Sequence, residues 1–300
     1  MRLDRRRLLA TALALPLAAP SGAEAAGIHR RRIPATGERI PAVGMGTWIT
    51  FNVGEDPDLR AARAEVLRRF FARGGGMIDS SPMYGSSQEV VGWCLERLED
   101  TGGLLVADKV WTRFGDARAQ MAETRRRWGV DRFDVMQVHN LLRWEDHLPI
   151  LRAAKEEGLV RYVGVTTSHG RRHDELERIM RSEPLDFVQL TYNVLDRAAE
   201  DRLLPLAADR GIAVIVNRPF RRKQLFHLFE DRPLPPWAAE LDIANWAQFF
   251  LKFILGHPAV TCAIPATTQV AHMEENMGAL RGALPDGRAR REMVRYVESP

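Results

Sequence analysis

Cysteine is scarce in this chain: 300 residues hold two, Cys94 and Cys262. No disulfide framework can be built from them that would carry a fold of this size, and each lies in an apolar pattern that predicts a buried free thiol. Metal-ligand spacing is missing too, because His169 and His173 stand four apart with no third ligand near them in sequence. Charge of one sign is also missing. The net charge is +4, and the basic runs Arg30 to Arg32, Arg125 to Arg127 and Arg221 to Lys223 are interspersed with acids. They read as solvated helix faces and loops, and nucleic acid is not an expected partner. After the first 25 residues no apolar run is long enough for a membrane helix, so no integral membrane segment is expected in the mature chain.

Residues 1–25 read as a signal peptide rather than as part of the fold. Met1 to Arg7 is a basic start, Leu8 to Ala19 a short apolar stretch, and Ala23-Glu24-Ala25 a small-residue cleavage pattern. The apolar stretch is too short to span a bilayer. Arg5-Arg6-Arg7-Leu8-Leu9 is similar to a twin-arginine signal, which predicts contact with an export machinery and a periplasmic mature protein made as a cytoplasmic precursor; a Sec signal or a mitochondrial presequence is the alternative.

From residue 27 to 300 the pattern predicts a single domain of alternating strands and helices. It opens with a hairpin, Arg32-Ile-Pro and Arg39-Ile-Pro about a turn at Thr36-Gly37. Strands are expected at Val43–Thr47, Met77–Asp79, Leu104–Lys109, Phe133–His139, Val160–Val165, Phe187–Leu190, Ile212–Val216 and Thr261–Ile264. Helices are expected between them at Pro57–Arg73, Ser87–Leu98, Ala117–Trp128, Glu145–Glu157, Arg172–Arg181, Ala198–Arg210 and Ala238–Leu255, then at Val270–Leu280, with a last one at Arg288–Val297. Eight strand-then-helix units predict an α/β fold, the (β/α)8 TIM barrel with an N-terminal β-hairpin. A doubly wound sheet is the alternative. It would call for a glycine-rich phosphate loop after the first strand, and Gly44-Met45-Gly46 lacks the third glycine and the helix onset.

Four ionisable residues stand out. Asp79 ends one expected strand, with Tyr84 five residues later, and Lys109 and His139 end the next two. In a barrel, catalytic groups come from the C-terminal ends of several strands. A phenol titrates near pH ~10 and is a weak acid at neutral pH. A nearby ammonium favours its ionisation, and an aspartate holds that ammonium in place. A histidine can orient a substrate oxygen. Together they can protonate a developing alkoxide, which is what a carbonyl requires when hydride reaches its carbon. None of the four is a hydride source, so the reading requires a nicotinamide cofactor.

This set, in this order, resembles the aldo-keto reductases, and the resemblance covers nearly the whole mature chain. Gly44-Met-Gly-Thr-Trp48, Ile78-Asp-Ser-Ser-Pro-Met-Tyr-Gly85, Asp108-Lys-Val-Trp111, Val188-Gln-Leu-Thr-Tyr-Asn193 and Ile264-Pro-Ala-Thr-Thr268 followed by Glu275-Asn276 carry it. It implies that Asp79, Tyr84, Lys109 and His139 are catalytic, with Tyr84 the general acid, Lys109 and Asp79 its tuning partners, and His139 orienting the carbonyl. It implies that Thr47, Trp48, Thr166, Thr167, Gln189, Asn217, Arg218, Pro219, Thr267, His272, Glu275 and Asn276 bind the cofactor, NADP with NAD possible. Trp48, Trp111 and Asn140 would wall a pocket for a small carbonyl substrate in a monomer.

The chain also departs from the pattern. Thr166-Thr167 replaces a Ser-Asn pair, Asn217-Arg218 stands where a stacking Tyr and a Ser are usual, and Ala266 and His272 take the place of basic residues that grip a 2′-phosphate. A modest preference for NADPH over NADH follows, with Arg218, Arg221, Arg222 or Lys223 as substitute phosphate contacts. Two rival readings remain at this stage. One is a nucleotide-binding regulatory or binding protein on the same scaffold with little turnover; the other, a Schiff-base lyase using Lys109, leaves Tyr84 and Asp79 without roles.

Overall fold

A computed structural model describes residues 27–299, so the expected signal sequence lies outside the described residues. A two-stranded antiparallel hairpin comes first, β1 (Arg30–Arg32) with β2 (Arg39–Pro41), its register set by Arg31 opposite Ile40. Eight parallel strands follow, paired in chain order: β3 (Met45–Gly46), β4 (Met77–Asp79), β5 (Leu105–Val110), β6 (Phe133–Val138), β7 (Val160–Thr166), β8 (Phe187–Thr191), β9 (Ala213–Asn217) and β10 (Val260–Ala263). The first and last strands meet at a Val43–Ala263 bridge, where Gly44 N–H donates to Ala263 O at 2.8 Å and Ala263 N–H to Ala42 O at 2.9 Å. The sheet thus closes into the expected barrel. The hairpin strand begins two residues before the expected Arg32, because its pairing continues back to Arg30 opposite Pro41.

The helices are α1 (Pro57–Ala72), α2 (Ser87–Leu95), α3 (Ala117–Trp128), α4 (Trp144–Glu156), α5 (His173–Ser182), α6 (Leu203–Arg210), α7 (Gln224–Phe229), α8 (Trp246–Leu255), α9 (Val270–Gly278) and α10 (Gly287–Glu298). Local chemistry sets their ends. Asp56 caps α1 through its side chain, with Pro57 at the first position. Asp116, Asn245 and Asp286 cap α3, α8 and α10 in the same way. Gly129 and Gly211 close α3 and α6 in the left-handed region.

Two expected helices are broken. The stretch Ala198–Arg210 divides into a 3-10 turn at Ala198–Glu200 and α6, with Arg202 at φ −137° between them. Pro205 has no N–H to give the carbonyl four residues back, so α6 starts afresh just before it. The stretch Ala238–Leu255 divides at Asp242, which takes φ 51°, into a 3-10 segment (Pro236–Leu241) and α8. The buried Lys252 ammonium donates to the carbonyls of Leu241 and Asp242 that the break leaves free. The connection before it also contains α7.

Alternation along the strands builds the interior in layers. Ala107, Val135, Phe187 and Ala213 point inward low in the barrel, beside Ile33 and Ile40 from the hairpin that plugs this end. Two residues further along, three of these strands turn polar at the inward position, at Lys109, Gln137 and Gln189, joined by Asp79 on the neighbouring strand, while Ile215 keeps β9 apolar at that level. The outward positions pack against the helices, where Cys94 is buried; Cys262 is buried inside the barrel.

Candidate active site

The polar layer at the C-terminal end of the strands centres on one ion pair. Lys109 Nζ lies 2.5 Å from Asp79 Oδ2 and 2.7 Å from Ser80 O, with both charged side chains essentially excluded from solvent. Asp79 Oδ1 accepts from Gln189 Nε2 at 2.8 Å, and Gln137 Nε2 stands 3.5 Å away. Burial opposes the charge on Lys109, yet Asp79 and the neighbouring Tyr84 and Asp108 hold its pKa above the ordinary value. The pair is therefore a fixed charged group at the floor of the site.

Tyr84 sits above this pair, its ring centroid 5.2 Å from Lys109 Nζ. Gly85 turns the chain from Tyr84 into α2 at φ +62°, and a Cβ there would fall 2.4 Å from Asn52 Oδ1. The expectation that Lys109 would leave the phenol more acidic than usual does not hold. Loss of solvent pushes Tyr84 up to about 12, and Lys109 offsets only part of that rise. Tyr84 is half-buried at the cavity wall.

His139 stands in a 3-10 turn (His139–Leu141) just past β6, its ring perpendicular to that of Tyr84 at 5.6 Å between centroids. Burial, then the charge of Lys109, holds its pKa well below the ordinary value, so the imidazole is neutral. Ser81 Oγ lies 2.7 Å from Nδ1 and also accepts from Met83 N–H at 3.2 Å. Where the Ser81 hydroxyl is the donor to Nδ1, the other ring nitrogen carries the N–H.

Tyr84, His139 and Asp79 open on a cavity of about 1020 Å³. Nearly all the other expected site residues line it: Thr47, Trp48, Asn140, Thr166, Thr167, Gln189, Asn217, Arg218, Pro219, Thr267, His272, Glu275 and Asn276. Lys109 lies beneath the cavity against Asp79 and does not line it. Trp111 is the exception that corrects an expectation. Its loop turns outward, held by Gln120 on both the N–H and the carbonyl of Trp111, and its side chain is 42% exposed, away from the cavity. Gln189 has both ends of its amide engaged, Nε2 on Asp79 and Oε1 accepting from Asn217 Nδ2 at 3.3 Å. Thr167 Oγ1, by contrast, is buried with no hydrogen-bond partner among the described residues. A cavity of this size, with an orphan hydroxyl beside an amide network at one end and cations along its length, fits a nicotinamide nucleotide.

Sequence reasoning missed Gln137, Ser80 and Ser81. Gln137 stands two residues before His139 and faces the same way, and the serines lie inside the Asp79–Tyr84 motif. Alternation and motif membership were the available signals.

Comparison with known proteins agrees with this geometry. Residues 42–291 match the aldo/keto reductase family. The chain belongs to that family. Among its relatives is the NADH-specific methylglyoxal reductase of Escherichia coli (strain K12), 27% identical over 231 residues, 64% of this chain and 68% of that protein. An aldo/keto reductase from Klebsiella pneumoniae, solved in complex with NADP and acetate, superposes with a TM-score of 0.72 at 24% identity, covering 88% of this chain and 94% of that one. The holo form of an aldo-keto reductase from Bacillus halodurans gives the same TM-score at 18% identity, over 91% and 97% of the two chains. The protein is an enzyme, an oxidoreductase of the aldo-keto reductase type.

Proposed function

We propose that this oxidoreductase reduces an aldehyde or ketone, using NADPH or NADH, with Tyr84 as the proton donor. The observation that carries the reading is the convergence of Tyr84 and neutral His139 on one cavity above the buried Lys109–Asp79 pair. When bound, the nicotinamide nucleotide supplies hydride to the carbonyl carbon. The protein's own part is positional and protonic. His139, fixed by Ser81, presents an N–H to the carbonyl oxygen. Tyr84 delivers its proton to that oxygen as negative charge grows there, and the Lys109 ammonium stabilises the phenolate left behind. Asp79 keeps Lys109 charged and in place.

Thr166, Thr167 and Asn217 hold the nicotinamide end, with the unpartnered Thr167 hydroxyl free for the carboxamide. Arg218 and Pro219 flank the middle, and Thr267, His272, Glu275 and Asn276 receive the adenosine end. The relatives support both nucleotides, since one is named for NADH and another is solved with NADP. All the groups the reaction needs lie in one chain, so a monomer suffices for the chemistry. The test is nucleotide oxidation with a panel of aldehydes. Tight nucleotide binding without turnover on any aldehyde would favour a binding or regulatory protein instead.

Export as a folded, nucleotide-loaded protein through a twin-arginine route to the periplasm completes the proposal, on the strength of Arg5, Arg6 and Arg7 before the short apolar stretch. Replacing these three with Lys should trap the precursor in the cytoplasm, and normal export of that variant would exclude the twin-arginine route.

A further inference from the structure

The loops that follow β7 and β9 meet at the cavity and carry an excess of positive charge. His169, Arg171, Arg172, Arg218, Arg222 and Lys223 all line it, while the lining acids are Asp79, committed to Lys109, and Glu275. Some of these cations have partners. Arg172 pairs with Glu175 at 2.6 Å, and Arg222 lies over the Trp48 ring at 4.8 Å. Among the described residues Arg171 and Arg218 have no carboxylate within ion-pair distance, unlike their neighbours Arg172 and Arg221, the latter 2.9 Å from Asp196. Arg218 instead donates to His169 Nε2 at 2.8 Å, a neutral acceptor for a charged donor. Burial and the surrounding arginines both disfavour charge on His169 and Arg218.

The backbone concentrates strain at the same place. Of eleven non-glycine residues with positive φ among the described residues, six are His169, Arg172, Arg218, Arg221, Arg222 and Lys223. Strained backbone of this kind gathers at ligand-binding sites. The cluster is also joined to the reacting groups. His169 N–H is held by Thr191 Oγ1 at 2.9 Å, Thr191 donates to Asn217 Oδ1 at 2.6 Å, and Asn217 leads through Gln189 to Asp79. On the substrate side, Arg172 donates at 2.5 Å to the carbonyl of Asn140, the residue after His139.

We propose that the substrate is an anionic carbonyl compound, an aldehyde or ketone bearing a carboxylate or a phosphate, and that Arg171 and Arg218 hold this anion beside His169. The inference rests on the reductase reading and narrows its substrate class. The loop after β9 is also a contact for the nucleotide, whose phosphates share this chemistry. Arg171 is therefore the residue that separates the two sources, because it stands on the loop tied through Arg172 to Asn140, the residue after His139.

The test compares benzaldehyde with 4-carboxybenzaldehyde at saturating nucleotide, in the parent and in Arg171→Gln. A charge-assisted contact predicts kcat/KM higher by about tenfold or more for the carboxylate substrate. In Arg171→Gln that advantage should fall by a similar factor, with nucleotide dissociation constants unmoved. Equal handling of the two aldehydes by the parent overturns the proposal. A persistent advantage with weakened nucleotide binding in Arg171→Gln also overturns it and assigns the cluster to the nucleotide. If neither aldehyde turns over, the reductase reading is what fails. Calorimetric binding of benzoate against benzamide to the nucleotide-loaded protein then decides the anion site alone: tighter benzoate, weakened by Arg171→Gln, supports it, and equal binding overturns it.

Discussion

At the N-terminal end of the barrel Tyr162, Lys155 and Arg161 each meet a partner; at the C-terminal end Tyr84, His139 and Arg171 face an open cavity. Tyr162 Oη bonds Glu38 at 2.7 Å and Thr36 at 2.8 Å, Lys155 pairs with Asp186 at 2.5 Å, and Arg161 bridges Asp134 and Glu38. A cavity of about 740 Å³ lies at that end too, but Arg152, Lys155, Glu183 and Asp186 on its walls are engaged with each other across it. The same residue types thus serve two purposes. Where each charge is answered within the protein, the end of the barrel is closed by the hairpin and contributes stability. Where a buried pair supports groups that remain unanswered, the protein awaits a ligand.

Matched substitutions at the two ends sharpen this contrast, and the tyrosines should give the largest effect. Tyr84→Phe is expected to lower carbonyl reduction by roughly 10²–10⁴-fold with nucleotide binding retained. Tyr162→Phe should keep full activity and cost about 1 kcal/mol of stability, read by chemical denaturation. Similar activity losses in both variants would erase the distinction between the ends.

The lysines come next. Lys109→Met removes the charge that lowers the Tyr84 pKa, so kcat should fall and the apparent pKa of the acid should move upward in its pH profile. The variant also strands Asp79 in the interior, at a cost of about 3–5 kcal/mol, so its fold is checked by circular dichroism. Lys155→Met, at a pair 40% exposed on the lysine side, should leave the pH profile in place and change stability by about 1 kcal/mol or less. Overlaying profiles for Lys109→Met and the parent would remove Lys109 from the chemistry.

The histidines should give the smallest effect. Burial first, then nearby Lys109 or Arg290, holds His139 well below 6.5 and His257 at about 4. The unfolded chain therefore takes up protons that the folded chain refuses once the pH falls below 6.5. Stability from this source is complete above that value and declines as the pH drops toward the folded pKa of each group. Melting temperature should fall accordingly on acidification. His257→Gln, at the closed end, should flatten part of the slope while leaving activity intact. A melting temperature that stays constant until the carboxylates titrate would show that neither histidine contributes.

Much of this was legible in the chain. Each site strand is a short apolar run, and alternation fixes which of its residues share a face, so Asp79, Lys109 and His139 could be placed at strand exits. Trp111 was placed wrongly because a position just past a strand end does not fix the direction of the loop. There, Gln120 from α3 turns the backbone away from the cavity. The break in the Ala198–Arg210 stretch had a signal in Pro205, whereas the turn at Asp242 that divides the Ala238–Leu255 stretch had no such mark in the sequence.

The sequence by itself determined the barrel, its hairpin and which residues are candidates for the reaction, because those depend on periodicity, caps and local motifs. Tertiary structure alone decided how these groups behave. Whether Tyr84 titrates above or below an ordinary phenol depends on solvent exclusion competing with Lys109, and neither burial nor distance is written in residue order. The cation cluster was likewise hidden: His169 and Arg218 stand 49 positions apart and meet only when β7 and β9 bring their exit loops to one cavity. Electrostatic interactions are set by distance in space and by dielectric surroundings, and both arise only when the barrel closes.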